Sequence, residues 1–233
     1  MAKGQVVDYV VAMPSATVEN YLKRLYLLQQ GTPGRPVAMG KLAGAVAVVP
    51  GTATTMVKAL AESRLVAYEP RGGVRLTRAG ERLALRVLRR HRLIELFLVR
   101  ALGLDWSEVH DEAEELEHVI SDKVLERIDT MLGHPSTDPH GDPIPRPNGR
   151  LRPRPPLSLA EGRAKRKYRV AQVLDQGAPF LQFAERHGLF PGAIVTIEAQ
   201  DVVADAVRLR PEGKLAMSLG RVAAARILVE PIH

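Results

Sequence analysis

The run V-H-D-E-A-E-E-L-E-H at 109–118 puts two imidazoles and five carboxylates into ten residues. At about 100° per residue, helical spacing gathers His110, Glu114, Glu117 and His118 within about 100° of one another. Val109, Ala113, Leu116 and Ile120 form an apolar stripe beside them, while Asp111, Glu112 and Glu115 point elsewhere. Two imidazoles and two carboxylates converging beside a buried face need a cation. Without one the carboxylates repel each other and lose hydration uncompensated. The competing reading is a solvated acidic face that carries two histidines. A second pair, His91 and Glu95, is spaced i and i+4 on a longer helical pattern, so one lies above the other. It is either an exposed ion pair or a half-site completed by the 109–118 helix. No thiolate can take part, because the chain contains no cysteine.

The elements that must position these groups can be read from period and punctuation. Asp105 and Glu108 are spaced as a capping box, which predicts a helix over 105–120. An apolar face of Leu83, Val87, Leu88, Ile94, Phe97 and Leu98 predicts a long helix over 78–101, begun at Thr77. Leu102-Gly103-Leu104 is a short turn, so the two helices are expected as antiparallel neighbours. A further amphipathic helix over 121–132 exposes more apolar surface than one chain covers, which suits a dimer interface. Eight prolines between residues 133 and 156 break every period, and this stretch reads as an extended linker, ordered first and flexible and basic later.

Upstream, Ser15 caps a helix over 16–30, a short helix follows near 39–46, and Val48-Val49-Pro50-Gly51 turns the chain. Thr52 caps the next helix, over 53–63. Two short strands around Pro70-Arg71-Gly72-Gly73 then form a hairpin. Helix, helix, turn, helix, hairpin is a winged helix-turn-helix. In that motif Thr52, Thr54 and Thr55 open the recognition helix and can meet base edges, although Thr52 can equally be only a cap. Lys58 reaches a phosphate or base edge, and Arg71 at the hairpin tip, with Arg75 beside it, meets the backbone or minor groove. After residue 165, short strands punctuated by Pro211, Gly213 and Gly220, with a helix near 180–187, suggest a small β-barrel.

The 233-residue chain carries a formal net charge of +7, which favours polyanionic partners, double-stranded DNA foremost. The apolar run at 6–13 is interrupted by Asp8 and is no signal peptide, and the apolar stretch at 43–50 is too short to span a bilayer. A cytoplasmic protein without a membrane partner is expected.

Taken in order, Pro14 to Tyr26, Thr52 to Leu60, His91 to Glu95, the H-D-E-A-E-E-L-E-H run and G-H-P-S-T-D-P-H-G-D-P-I-P resemble the diphtheria toxin repressor family over the whole chain. The resemblance implies a mainly α protein with small β parts. Its layout would be a winged helix-turn-helix DNA-binding domain (1–80), a helical metal-binding and dimerisation domain (81–148), a Pro-rich basic linker (149–165) and an SH3-like β-barrel (166–233). It implies a homodimeric repressor that binds palindromic operators when Mn²⁺ or Fe²⁺ is bound. Metal sites would be built from Glu114, Glu117 and His118 with a first-helix ligand, and from His91, Glu95 and His110. Iron-selective members of the family have Cys where Glu114 stands, and manganese-selective members a carboxylate, so Glu114 points to Mn²⁺. The first-helix ligand, Met or Asp in the family, is here Asn20, and Lys23 replaces a glutamate of paired-ion members. Asp8, Met13 or Glu19 are further candidates for that ligand. From the SH3-like domain Asp175, Gln176 or Gln182 are candidates. The rival is a helical di-metal enzyme using the same cluster; it has no H-E-x-x-H motif, no evident nucleophile and no need of a winged helix. If Lys58 meets a phosphate, Lys58→Ala should lower the slope of log affinity against log salt by about one unit. A salt titration of DNA binding by fluorescence anisotropy reads this directly, and an unchanged slope rules the phosphate contact out.

Overall fold

The computed structural model describes residues 15–153, 155 and 157–232. Asp8 and Met13, named above as candidate ligands, lie outside the described residues. The chain divides into two compact units, Met1–Val87 and Leu88–His233.

In the first unit α1 (Ala16–Gln30) begins at Ser15, whose side chain accepts from the Val18 backbone N–H. It is followed by α2 (Met39–Ala45), α3 (Pro50–Glu62), β1 (Val66–Glu69) and β2 (Gly73–Leu76). The two strands pair antiparallel, Val66 opposite Leu76 and Glu69 opposite Gly73. Val37 adds one bridge, exchanging backbone hydrogen bonds with Val74 at 2.9 Å each way. Leu22, Leu25, Leu42, Val57, Leu60 and Val74 are buried and hold these elements together. The helix-turn-helix and its wing are thus present. One detail differs: α3 starts at Pro50 with Val49 as N-cap, so Thr52 is not a cap but an exposed residue of the first turn. Proline is favoured at the first helical position, where its missing N–H costs nothing.

The long helix α4 (Arg78–Leu102) contains the boundary between the units. Thr77 begins it, its hydroxyl accepting from the Gly80 N–H. In the second unit α5 (Val109–Leu116) and α6 (Asp122–Met131) pack on the C-terminal half of α4. Leu93, Ile94, Leu96 and Leu98 meet Val109, Ala113, Leu125 and Ile144 in one core. The helix predicted over 105–120 starts later and ends earlier, at Val109 and Leu116. Asp105 does not cap it: its carboxylate accepts from the N–H and hydroxyl of Ser107 at 2.7 and 2.6 Å, closing a turn instead. Nor does the helix run to residue 120. Glu117 is its C-cap and His118 lies in the turn beyond. Glu117, with αR dihedrals, still follows the helical path of His110 and Glu114, whereas His118 lies off it.

The remaining chain forms β3 (Leu157–Ser158), β4 (Arg166–Val173), α7 (Ala178–Arg186), β5 (Ile194–Asp201), β6 (Ala206–Pro211), β7 (Met217–Gly220), α8 (Arg221–Ala224) and β8 (Ile227–Pro231). These give one antiparallel six-stranded sheet in the order β3-β8-β4-β5-β6-β7. The molecule is therefore a mixed α and β protein with a C-terminal sheet, and the pairing found among the described residues does not close that sheet into the expected barrel. The single turn of α8 separates β7 from β8, and β3 brings residues 157–158, placed in the linker above, into the sheet. The sheet core includes Val170, Leu181, Val195, Ile197, Leu209 and Ile227, and Trp106 from the α4–α5 connection joins it.

Backbone meets backbone where the 133–156 segment crosses the sheet. Gly141 has φ +86°, and a Cβ there would lie 2.0 Å from the Ala171 carbonyl oxygen. Gly141→Ala should therefore destabilise the protein by about 2–4 kcal/mol, combining left-handed strain with overpacking. Gly213→Ala, with φ +74° but open space around it, should cost about 1 kcal/mol. Urea denaturation of the two variants measures the difference.

Candidate metal centre

Helix α4 carries His91 and Glu95 one turn apart, and both are buried. His91 is the hub. Its Nδ1 lies 2.8 Å from Glu117 Oε2, and its Nε2 lies 3.0 Å from Glu95 Oε1 and 3.2 Å from His110 Nδ1. His110, on the first turn of α5, is also 3.3 Å from Glu95 Oε1 and 3.5 Å from Glu114 Oε1. Glu117 Oε1 closes the series 3.2 Å from His118 Nε2. The rings of His91 and His110 meet edge to face at 4.9 Å. Six of the seven expected metal residues are thus joined in one continuous cluster. One ligand atom each from His91, His110 and Glu114 lies within 4.8 Å of the others, a spacing that a single ion can span. Glu117, the C-cap of α5, keeps αR dihedrals and bonds its N–H to the Ala113 carbonyl, so it lies one turn beyond the buried Ala113 and is itself fully buried.

Asn20, the seventh, is on α1 in the first unit and is half-buried there; Glu19 and Lys23 on the same helix are buried.

The other oxygen of Glu95 faces a second set that the spacing did not bring out. Glu95 Oε2 is 3.9 Å from His140 Nδ1, which is 4.0 Å from Asp138 Oδ1, and all three residues are buried. The Nε2 of His140 donates to the Trp106 carbonyl at 2.8 Å, so in the neutral ring the lone pair sits on Nδ1. That Nδ1 and Asp138 Oδ2 have no hydrogen-bond partner among the described residues. The Asp138 oxygen has only an ion contact, 3.5 Å from Arg92 Nε. A buried imidazole lone pair and a buried carboxylate oxygen left unbonded and aimed together cost free energy unless a cation accepts both.

The electrostatics agree. Burial, then the charges of Asp142 and Glu95, pushes the Asp138 carboxyl well above its ordinary range, with Arg92 opposing. Burial also opposes charge on Glu95, but the charge of His91 and hydrogen bonds from His110 and His91 outweigh it and hold that carboxyl low. Glu95 is the anion shared by both sets.

Around them lies a supporting layer. Arg92 donates to the Pro143 carbonyl at 2.7 Å and to Asp142 Oδ1 at 2.8 Å, and Gln176 Nε2 donates to the other Asp142 oxygen at 2.8 Å. Trp106 stacks on His140 with ring centroids 5.6 Å apart. Groups that orient ligands in this way are the usual companions of a metal site. Of the three candidates from the sheet, Gln176 bonds Asp142 rather than the cluster, Asp175 pairs with Arg226, and the Gln182 carbonyl accepts from Arg186. Asp138 and His140 were hidden because proline on either side masks any period; only the H-G-D-P-I-P string marked the place.

The DNA-facing candidates can also be placed. Thr52, Thr55, Lys58, Arg71 and Arg75 are exposed, and Thr54 is half-buried. The hydroxyls of Thr54 and Thr55 donate to the Pro50 and Gly51 carbonyls at 2.8 and 3.2 Å. Their oxygens and methyls, not their protons, are what remain for base edges. Arg71 takes φ +66° at the wing tip.

A winged helix and a buried His and carboxylate cluster in one chain define a metal-responsive DNA-binding regulator. Residues 13–74 match the profile of the iron dependent repressor N-terminal DNA binding domain. Residues 77–146 match that of the iron dependent repressor metal binding and dimerisation domain, and residues 157–231 match the FeoA domain. An uncharacterized helix-turn-helix transcriptional regulator of Methanocaldococcus jannaschii is 40% identical over 118 residues, 51% of this chain and 94% of that protein. The iron-dependent repressor IdeR of Mycobacterium tuberculosis is 36% identical over 129 residues, and this match spans 55% of each chain, about half the length of that relative. A solved manganese-dependent transcriptional repressor in complex with manganese is similar at a TM-score of 0.81 and 37% identity, over 92% of this chain and 100% of that one. The chain belongs to the diphtheria toxin repressor family of metal-dependent transcriptional repressors. Its homologues are repressors rather than enzymes, which sets the di-metal enzyme reading aside.

If the cluster binds metal, Mn²⁺ at about 100 times its dissociation constant should stabilise the protein by about 2.7 kcal/mol. His91→Ala and His140→Ala should each remove most of that gain. Thermal melts with and without Mn²⁺ show it; an undiminished Mn²⁺ effect in both variants would mean that the ion binds elsewhere.

Proposed function

We propose that this protein is a homodimeric repressor that binds palindromic operators when Mn²⁺ or Fe²⁺ is bound, acts in the cytoplasm and controls genes of metal uptake or homeostasis. The observation that carries this reading is the unbonded pair of His140 Nδ1 and Asp138 Oδ2 beside Glu95, in a chain that also holds a winged helix. The ligands are His91, Glu95, His110, Glu114, Glu117 and His118, with Asp138 and His140 added and Asn20 from the first helix. Bound metal supplies the positive charge these groups lack. All the donors are nitrogen and oxygen, and a carboxylate at Glu114 in a chain without cysteine favours Mn²⁺. Iron-dependent relatives keep Fe²⁺ within the reading.

His91 holds α4 to the turn after α5 through Glu117, and His110 holds α5 to Glu95. Thr52, Thr54, Thr55, Lys58 and Arg71 then read the operator. The apolar side of α6, with Val124 and Met131 exposed in the single chain, covers its counterpart in the dimer. Ligand and operator are coupled only so far as metal prefers the DNA-competent state, and couplings of about 1–3 kcal/mol give roughly 5–150-fold tighter binding. Mobility-shift titrations on the chain's own upstream DNA, with Mn²⁺ and with chelator, should differ by a factor in that range. Equal affinity in the two overturns the proposal. Among the described residues no single helix is long and apolar enough to cross a membrane.

A further inference from the structure

The sequence from residue 163 to 169, R-A-K-R-K-Y-R, places five cations in seven residues at the entry to β4. Arg163, Lys165, Arg166, Lys167 and Arg169 are all exposed, whereas Tyr168 and Val170 between and beyond them turn into the sheet core. Lys167 and Arg169 therefore stand on the outer face of the sheet, about 6.7 Å apart along the strand. Lys165 precedes them in a turn, with φ +60°, its N–H bonded to the Ile197 carbonyl. Across the sheet Lys167 is opposite Thr196, which is opposite Arg210, so the basic surface continues onto β6.

Four carboxylates bordering this surface are committed elsewhere, whereas Glu212, two strands across from Arg169, is exposed and in no ion pair among the described residues. Glu161 accepts from the hydroxyl and N–H of Ser158 at 2.7 and 3.0 Å. Glu198 is shared by Arg208 and Arg210 at 3.1 and 2.8 Å. Glu230, opposite Arg169 in the register, lies 3.5 Å from Arg152. Asp205 lies 3.5 Å from Arg221. Among the described residues no ion pair engages the side chains of the five cations. Neighbouring like charges repel, and a polyanion relieves that repulsion while releasing its own counterions.

We infer that this face of the FeoA-like sheet is a second contact with double-stranded DNA, made to phosphates without reading sequence. The inference rests on the repressor reading for the presence of DNA and adds a surface outside the winged helix. Positions on a strand hold the cations at fixed spacing with little further ordering, and Arg and Lys heads need only phosphate oxygens. The contact would raise affinity for any duplex equally and leave operator preference to the winged helix.

The test uses the full chain with Mn²⁺ and a mixed-sequence DNA duplex, read by fluorescence anisotropy over a salt series. The triple variant K165Q/K167Q/R169Q should lower the slope of log affinity against log salt by about 0.9 for each phosphate it no longer neutralises, between two and three units in all. R208Q/R210Q, whose cations already share Glu198, should lower it by less. A triple variant with the wild-type slope overturns the inference, as does an equal decrease in both variants. Binding to anionic phospholipid vesicles with no change in the DNA slope overturns it as well. Trp106, the one tryptophan, reports by its fluorescence that each variant is folded. Wild-type binding that responds to Mn²⁺, with an unchanged triple variant, sinks this inference and leaves the repressor reading standing. Loss of the Mn²⁺ response in the wild type sinks the repressor reading.

Discussion

A carboxylate buried beside other carboxylates is tolerated only if something positive shares the cavity, and that constraint governs the second unit of this protein. Glu95 sits almost without solvent between two imidazoles on one side and the Asp138–His140 pair on the other. Arg92 neutralises part of the charge, through Asp142 at 2.8 Å and Asp138 at 3.5 Å. The rest is left to histidine protons or to a divalent ion. Hydrogen bonds from His91 and His110 keep Glu95 ionised, while Asp138, with a poorer set of partners, is pushed toward its neutral form. A metal ion resolves both difficulties together, because it accepts the imidazole lone pair and neutralises the carboxylates in the same space. The cluster is therefore a set of groups that a divalent ion would suit.

The same cluster ties the helical part of the unit to the sheet. His140 donates to the Trp106 carbonyl and accepts, at its own carbonyl, from the Val173 N–H at 2.9 Å. Gly141 passes against the Ala171 backbone, and Gln176 reaches Asp142. Each of these contacts involves a residue within a few positions of Asp138 or His140. A change at the cluster is felt by the sheet through backbone as well as side chain, and little in that path is free to absorb it, since interiors are close-packed. Whatever the FeoA-like sheet contributes to regulation, its docking shares residues with the candidate metal centre.

Much of the architecture was legible from periodicity. The bounds of α1 were read from a serine cap and a glycine-rich stop, and the wing from a Gly-Gly tip between short apolar strands, since caps and turns are local. Misreadings fell where two local solutions competed. Thr52 looked like a cap, but Pro50 at the first helical position begins α3 earlier. Asp105 looked like half of a capping box, but Ser107 lies closer and takes its carboxylate. The one helical turn of α8 between β7 and β8 is marked by no period.

The metal centre divides in the same way. Residue types and spacing alone determined that His91 and Glu95 share a helix face, that His110 and Glu114 share another, and that nitrogen and oxygen must be the donors in a chain without cysteine. They also determined, with the family resemblance, that a DNA-binding unit and a metal-binding unit occur in one chain. Only the tertiary structure decided that α5 ends at Leu116, with His118 in the turn beyond and Glu117 against His91. Only it decided that His91 is the hub and that Glu95 faces two ways. Only it brought Asp138 and His140, more than forty positions from Glu95, into one buried set with it, His140 within 3.9 Å. Helical spacing reports which side chains share an axis. Convergence across a proline-rich crossing depends on how that segment packs against α4 and the sheet, which no local pattern encodes.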